Sequence, residues 1–132
     1  EQHRRFCSKC QGVESQCDGG EFVMYHGTST SNAASILQEG QFRPSISGML
    51  GRGVYLSRAV QKAKHYGAVV FRCLVSVGRV VKIDRQGHPM QKSWQTHGYD
   101  TAWVPPQCGM VASGLEENCV LDPGRIQILG SL

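Results

Sequence analysis

The sequence predicts an α+β fold in which a split antiparallel sheet is accompanied by short helices in the first half of the chain. Short runs rich in Val, Phe, Tyr and Leu recur along the 132 residues and are typical of strands. Two amphipathic segments occur, and both lie before residue 67. Sixteen glycines indicate many tight turns between short elements.

The composition is that of one globular domain without a dense cluster of charge. Hydrophobic residues make up 40% of the chain and charged residues 18%, proportions that exclude a disordered segment. No apolar run is long enough to cross a bilayer, and none near the N-terminus resembles a signal peptide. The net charge of +4 is spread along the chain, so a nucleic-acid partner is not expected. We expect the chain to be part of a longer intracellular protein and to have no membrane partner.

The N-terminal residues 1–21 are expected to form a cysteine-containing extension to a domain that spans residues 22–132. Two of its cysteines form a CxxC pair, a spacing that lets two thiolates meet one zinc ion. Four candidate zinc ligands lie close together in this segment: His3, Cys7, Cys10 and Cys17. The alternatives are half of a zinc site that upstream residues complete, or the reduced thiols of an intracellular protein. Within the domain itself we expect no metal ligand.

The first predicted strand, Phe22 to Tyr25, ends in a polar corner formed by His26, Gly27 and Thr28. The strand residues favour extended backbone and burial, whereas the glycine lets a ligand or a neighbouring strand approach closely. His26 is therefore expected at the end of the strand, where it faces a cleft. The alternative for a single histidine beside a turn is a buried ring that a backbone carbonyl satisfies.

A short helix is predicted after this corner. Ser29–Ser31 offers caps to a helix over Asn32–Glu39, and Gly40 lies where a helix stops. Its apolar face is expected to consist of Ala33, Ile36 and Leu37.

A glycine-containing loop separates that helix from the second strand. The loop, Ser45–Gly51, has three apolar residues that could fold over a bound ligand: Ile46, Met49 and Leu50. The second strand is predicted over Gly51–Ser57 and carries Tyr55 at its centre. A second amphipathic helix is predicted over Ala59–Tyr66, and Gly67 ends it.

The second half of the chain is predicted to consist mainly of strands. The longest apolar stretch, Val69–Ile83, is interrupted by Gly78, as in a bent strand or a tight hairpin. The later elements are a helical turn over Met90–Thr96 and strands over Tyr99–Val104, Glu116–Asp122 and Arg125–Leu129.

Four motifs together resemble the catalytic domain of PARP-type ADP-ribosyltransferases in both order and spacing. They are Tyr25-His26-Gly27-Thr28, Gly51-Arg52-Gly53-Val54-Tyr55-Leu56-Ser57, Ala63-Lys64-His65-Tyr66 and Glu117-Asn118-Cys119-Val120-Leu121-Asp122. The resemblance covers about residues 22 to 129 and implies an ADP-ribosyltransferase-like split sheet. In length and loop pattern, the chain resembles the small PARP-like proteins of the grass-carp-reovirus-induced type and the C-terminal domain of a neuralized-like protein.

The resemblance implies NAD as the co-substrate and a catalytic triad of His26, Tyr55 and Glu117. His26 would hold the adenosine ribose, and Glu117 would bond a hydroxyl of the nicotinamide ribose and help to activate the acceptor. The other residues implied in NAD binding are Gly27, Thr28, Ala63 and Tyr66. Gly27 would pair with the nicotinamide amide, and Tyr66 would stack on the nicotinamide ring together with Tyr55. A carboxylate suits this chemistry because cleavage of the nicotinamide–ribose bond passes through a sugar cation.

Two departures from the family's pattern bear on activity. The family's helix carries a serine where this chain has Ala63, so one hydrogen bond to the nicotinamide amide is absent, worth about 0.5–1.5 kcal/mol. Glu116 directly precedes Glu117, and a strand shifted by one residue would place the other carboxylate in the cleft. Alternatively, this acidic pair is the solvated end of a loop.

Three functions are compatible with these motifs. The sequence favours a mono-ADP-ribosyltransferase that modifies a protein or another macromolecular acceptor, because the segment between Asp100 and Glu116 is short and offers little surface for an ADP-ribose chain. The second is an interaction module of a larger protein that binds NAD or ADP-ribose without turnover. The third is the related RNA 2'-phosphotransferase class, which relies on arginines that contact phosphate. Three arginines lie near the cleft motifs: Arg43, Arg52 and Arg58.

Overall fold

The computed structural model describes residues 15–132, and these contain seven strands, two helices and two short 3-10 turns. The strands are β1 (Glu21–Thr28), β2 (Val54–Leu56), β3 (Val69–Ser76), β4 (Val80–Lys82), β5 (Thr101–Val104), β6 (Glu117–Val120) and β7 (Ile126–Ser131). The helices are α1 (Thr30–Glu39) and α2 (Val60–Lys64), and the 3-10 turns are Trp94–Thr96 and Pro123–Arg125. Neither helix of residues 15–132 has the length and apolar character needed to cross a membrane.

The seven strands form two sheets, and the α+β prediction is confirmed. One sheet is antiparallel and has the order β1-β3-β7, whereas the other has the order β2-β6-β5-β4. In the second sheet β4 pairs in parallel with β5, so this half is mixed rather than wholly antiparallel. A bridge between Tyr25 and Ser57 joins β1 to the end of β2 and so connects the two sheets.

Two apolar clusters form the core. The larger contains side chains of β1, β2, β3 and α1, together with Phe42 and Ile126. The smaller contains side chains of β4, β5 and β6, together with Leu50 and Trp94. The indole N–H of Trp94 donates to the carbonyl oxygen of Leu50 at 2.8 Å. The loop before β2 is therefore fixed to the second cluster.

The predicted role of that loop as a cover for a ligand is wrong for Leu50, whose side chain is fully buried in the second cluster. Ile46, by contrast, is 89% exposed at the tip of the loop, and Met49 lines a cavity described below. The apolar residues of this loop therefore serve different purposes, which their order in the sequence does not reveal.

Helix α1 begins two residues earlier than predicted and ends where expected. The hydroxyl of Ser29 caps its first turn, and Gly40 ends it in the left-handed conformation with φ of 78°. The N–H of Gly40 donates to the carbonyl oxygen of Ile36 at 2.8 Å. Leu37 is 62% exposed, so its predicted place on the buried face is wrong. The helix packs on the core through a narrower stripe that includes Ile36.

Helix α2 is shorter than predicted, because it ends at Lys64 instead of Tyr66. The chain turns at His65 and Tyr66, and the ring of Tyr66 is 55% exposed. Tyr66 is therefore presented at the edge of the helix and not packed beneath it.

Strand β1 is longer than predicted and includes the polar corner. His26, Gly27 and Thr28 continue the antiparallel pairing with β3, opposite Phe71, Val70 and Val69. The expectation that His26 ends the strand is therefore wrong by two residues. The strong β-forming partners on β3 extend the pairing past the residue where the apolar pattern of β1 stops.

The stretch from Val69 to Ile83 forms neither a bent strand nor a hairpin. Its two halves, β3 and β4, belong to different sheets. Gly78 has a φ of 63° between them, and the carboxylate of Asp100 accepts the N–H of Arg79 at 2.8 Å. The glycine thus redirects the chain from one sheet to the other.

Candidate active site

A cavity of about 710 Å³ opens between α1, α2 and the adjoining ends of β1, β2 and β6. This volume lies within the range of sites that bind small molecules and cofactors. Six of the seven residues predicted for the site line it: His26, Gly27, Thr28, Tyr55, Tyr66 and Glu117. The seventh, Ala63, is a buried residue of α2, and its backbone packs against Gly27 of β1.

His26 contacts both the cavity and the backbone of β2. Its Nδ1 lies 2.8 Å from the carbonyl oxygen of Tyr55, and because a carbonyl only accepts, this nitrogen carries the proton. Burial lowers the pKa of His26. The ring packs against Phe42 with centroids 4.6 Å apart. His26 is therefore a neutral imidazole whose Nε2 is a hydrogen-bond acceptor. The ring faces a cleft and is also satisfied by a backbone carbonyl, so both of the alternatives predicted from the sequence hold in part.

Gly27 carries a backbone that faces the cavity edge. In a strand, the N–H and C=O of residues two apart point to the same edge. Tyr25 exchanges backbone bonds of 2.7 and 3.0 Å with Ser57, so the N–H and C=O of Gly27 point to that same side, away from β3. A side chain at Gly27 would overlap the carbonyl oxygen of Ala63. The close neighbour that requires glycine here is therefore helix α2 and not another strand.

Tyr55 lines the cavity with its ring, while its hydroxyl is fully engaged. The hydroxyl accepts the N–H of Leu50 at 2.9 Å and donates to the carbonyl oxygen of Gly51 at 2.6 Å. Burial raises the pKa of Tyr55, which therefore stays neutral. The part of Tyr55 that remains for a ligand is its aromatic face.

Glu117, the first residue of β6, presents an unusual carboxylate to the cavity. Its side chain is 2% exposed, and among the described residues neither oxygen has a hydrogen-bond partner. Burial raises the pKa of Glu117 to about 8; the nearby Lys62 opposes this rise and Glu116 adds to it. Buried polar atoms are seldom left without a partner, and carboxylates with raised pKa values cluster at functional sites. This carboxylate is the strongest indication of a reaction centre in the described chain.

Glu116 lies in a different environment and does not line the cavity. Its side chain is buried against Arg58, Trp103 and Asn118, all of which donate hydrogen bonds to it. The alternative that the acidic pair is a solvated loop end is therefore wrong, because both carboxylates are buried.

Lys62 is a site residue that the sequence analysis did not single out. It lines the cavity from α2, and its Nζ lies 3.8 Å from Oε1 of Glu117 and 5.6 Å from the ring centroid of Tyr66. The signal that could have found it is the spacing of four residues from Lys62 to Tyr66, which places both on one side of a helical segment.

The arginines of the sequence analysis do not form a phosphate site. Arg43 lines the cavity, but it forms an ion pair with Glu39 at 2.6 Å. Arg58 is buried against Glu116, and Arg52 is exposed away from the lining. The geometry therefore gives no support to the RNA 2'-phosphotransferase class.

Metal binding has no support in residues 15–132, where no group of three His, Cys, Asp or Glu side chains could hold an ion. Cys17 is half-buried and packs against the larger core cluster. The other predicted zinc ligands, His3, Cys7 and Cys10, lie outside the described residues.

Comparison with known proteins agrees with the motifs. The family model for the poly(ADP-ribose) polymerase catalytic domain matches residues 1–103, which include His26, Tyr55 and Tyr66 but end before β6 and Glu117. No curated protein matches the chain. Since the match spans more than half of the 132 residues, the chain belongs to the poly(ADP-ribose) polymerase catalytic domain family, that of NAD-dependent ADP-ribosyltransferases.

Proposed function

We propose that this domain transfers single ADP-ribose units from NAD to a protein or another macromolecular acceptor and releases nicotinamide. The observation that carries the proposal is the carboxylate of Glu117, which is buried in the cavity wall without a hydrogen-bond partner among the described residues. A substrate hydroxyl would supply the hydrogen bond that residues 15–132 do not provide.

The cavity offers groups that suit the parts of NAD. Nε2 of His26 would accept a hydroxyl of the adenosine ribose, and the N–H and C=O of Gly27 would pair with the nicotinamide amide. The ring of Tyr55 would stack on the nicotinamide, with the exposed ring of Tyr66 on its other face, worth about 0.5–1.5 kcal/mol for each contact. The hydroxyl of Thr28, which also lines the cavity, is a further candidate contact.

The reaction would proceed at the carbon that joins ribose to nicotinamide. That carbon–nitrogen bond breaks, its electron pair neutralises the nicotinamide nitrogen, and positive charge develops on the ribose. The ionised carboxylate of Glu117 would stabilise this charge through the ribose hydroxyl and accept the proton of the acceptor as its new bond to ribose forms. A pKa of about 8 suits a base near neutral pH.

The connection between β5 and β6 favours the transfer of single ADP-ribose units. The connection from β5 to β6 spans twelve residues, 105–116, and closes on itself through a bond of 2.9 Å from the N–H of Gln107 to the carbonyl oxygen of Gly114. So compact a connection offers little surface on which a growing ADP-ribose chain could rest. A short acceptor segment also favours a place among the small PARP-like proteins or neuralized-like domains of the family.

A second candidate is a module that binds NAD without turnover. With a pKa of about 8, the Glu117 carboxyl is protonated in most molecules at pH 7. A protonated carboxyl has no charge with which to stabilise a cation. The absence of a serine hydroxyl at Ala63 also favours weaker binding of the nicotinamide amide.

Nicotinamide release from NAD by the purified chain separates these functions. The measurement compares wild type, Glu117→Gln and the control Asp84→Asn, which alters a surface carboxylate, and it uses labelled NAD to follow transfer. We expect release by wild type and the control, no release by Glu117→Gln, and a rise in melting temperature with NAD in all three. A rise in melting temperature without release at pH 7 to 9 would identify the binding module, and no response to NAD would refute both functions.

A further inference from the structure

We propose, on the basis of the function proposed above, that Glu116 is a positioning residue for the reaction, which holds Glu117 at its distance from Lys62 through a buried pair with Arg58. Glu116 itself would not touch the substrate, because it does not line the cavity.

The two neighbouring carboxylates have opposite surroundings. Glu116 is 1% exposed and receives five hydrogen bonds, whereas Glu117 receives none from the described residues. The five donors are the Arg58 N–H (2.6 Å), Nε (3.1 Å) and Nη2 (2.9 Å), Nε1 of Trp103 (2.7 Å) and Nδ2 of Asn118 (2.9 Å). Five donors saturate a carboxylate, so the position of Glu116 is closely determined.

These bonds connect α2, which carries Lys62, to β6, which carries Glu117. Arg58 lies between β2 and α2, and the hydroxyl of Ser57 beside it donates to the carbonyl oxygen of Glu116 at 2.8 Å. The same hydroxyl accepts the N–H of Ala59 at 3.1 Å, where α2 begins without a side-chain cap of its own. Glu116 therefore fixes the segment that leads into α2 to the start of β6. This segment lies one turn before Lys62.

Glu117 depends on this connection because no hydrogen bond from the described part of the chain holds its carboxylate. Successive side chains of a strand point to opposite faces, so a fixed Glu116 directs Glu117 to the cavity. The Lys62 Nζ and Glu117 Oε1 atoms are 3.8 Å apart, which is an ion pair but too long for a hydrogen bond. A small displacement of α2 or β6 would change this distance, and misplacement of a reacting group by about 1 Å can lower a rate by about a hundredfold.

The surroundings of the Arg58 guanidinium add rigidity. Its carbon lies 4.9 Å from the ring centroid of Phe22 on β1 and 5.8 Å from that of Trp103 on β5. The pair with Glu116 is nearly excluded from water, since the side chains are 6% and 0% exposed. Glu116 is thus held by a well-packed pair, whereas the neighbouring Glu117 receives no hydrogen bond from the described residues, so one carboxylate holds the site and the other is left to react.

The test compares nicotinamide release by the full chain carrying Glu116→Gln with that of wild type and two other variants. Glu117→Gln removes the proposed reacting carboxylate. Asp100→Asn is the matched control, because Asp100 also accepts a backbone N–H and pairs with an arginine but lies outside the cavity. For Glu116→Gln we expect kcat to fall by about tenfold or more and the Kd of NAD to change by less than about threefold. The acid limb of the kcat profile should also move to lower pH, because a negative charge beside Glu117 is removed.

A merely structural role of Glu116 would give a different set of rates and pH profiles. If Glu116→Gln lowers kcat only in proportion to the unfolded fraction, as Asp100→Asn does, and leaves the pH profile in place, the positioning role is refuted. If Glu116→Gln does not fold, the double variant Arg58→Gln/Glu116→Gln removes both buried charges together and is expected to fold. Wild-type kcat in that folded variant would refute the positioning role.

Failure of the proposed function gives a different result. If wild type binds NAD but releases no nicotinamide, the catalytic role of Glu117 fails, and no rate can report on Glu116. The titration of Glu117 by NMR of chains labelled with ¹³C at glutamate then decides. An unchanged Glu117 titration in Glu116→Gln would refute the influence of Glu116 on its neighbour, and a shift to lower pH would support it.

Discussion

Replacing Glu117 by glutamine should stabilise the folded chain, and the gain should increase with pH. The carboxyl of Glu117 has a pKa of about 8 in the folded chain, against an ordinary value of 4.5. Between these two pH values the folded chain binds more protons at this group than the unfolded chain does. Stability is therefore lost as pH rises from about 4.5 through 8. Glutamine resembles the protonated carboxyl in size and polarity, and it has no charge to desolvate.

The magnitude follows from the same two values. A rise in pKa from 4.5 to about 8 corresponds to a cost of about 5 kcal/mol once the carboxyl is fully ionised, above about pH 9. The cost is about 3 kcal/mol at pH 7 and about 1 kcal/mol at pH 5. Because the side chain is 2% exposed, solvent screening reduces these figures little. Stabilities of whole domains are about 5–15 kcal/mol, so the effect should be large.

Urea denaturation of wild type and Glu117→Gln at pH 5, 7 and 9 measures this difference. We expect the free energy of unfolding of the variant to exceed that of wild type by a margin that grows at each step. The control is Glu39→Gln, at a carboxylate that is one-third exposed and pairs with Arg43, where the margin should stay within about 0.5 kcal/mol. A margin for Glu117→Gln that is constant with pH, or that favours wild type at pH 9, would refute the account of Glu117 as a desolvated carboxylate to which no described residue donates a hydrogen bond.

Three further predictions concern the cavity. Lys62→Met should raise the pKa of Glu117 further, since Lys62 opposes the effect of burial. The acid limb of the kcat profile for nicotinamide release should therefore move to higher pH, by about one pH unit. Gly27→Ala should destabilise the chain by about 2 kcal/mol or more in thermal unfolding, because the added methyl group overlaps the carbonyl oxygen of Ala63. Gly124→Ala serves as the control, because the nearest atom to its methyl group is a carboxylate oxygen of the Asp122 side chain at 3.2 Å. His26→Ala should weaken NAD binding by about tenfold in calorimetry through loss of an acceptor, and Leu37→Ala on the exposed face of α1 should leave it unchanged.

The sequence predicts the positions of helices and strands better than it predicts which strands pair in a sheet. Short apolar runs, an amphipathic spacing and glycine positions identify β1, α1 and β5 to within two residues of their observed starts. The separation of β3 from β4 was not predictable in this way, because a glycine such as Gly78 can open a hairpin or send the chain to another sheet. The outcome depends on Asp100, more than twenty residues away, which accepts the N–H of Arg79.

The candidate site could be predicted only in part. The resemblance to a family brings together His26, Tyr55 and Glu117, which spacing alone would not do. The different surroundings of Glu116 and Glu117 could not be anticipated, because two adjacent glutamates look equivalent until Trp103 and Arg58 are placed around one of them. Lys62 was missed because a lysine on a short helix is usually solvated, whereas here its side chain is 10% exposed.

The bonds that hold the loop before β2 have a consequence for how a ligand binds. The carbonyl oxygens of Met49 and Leu50 accept side-chain N–H groups of Gln91 and Trp94 at 3.1 and 2.8 Å, and Gly51 accepts the hydroxyl of Tyr55. The conformational entropy of this segment is therefore lost when the chain folds, before any ligand arrives. A ligand that enters beside Met49 meets a wall that is already ordered, so its affinity is not reduced by the entropy of fixing that wall.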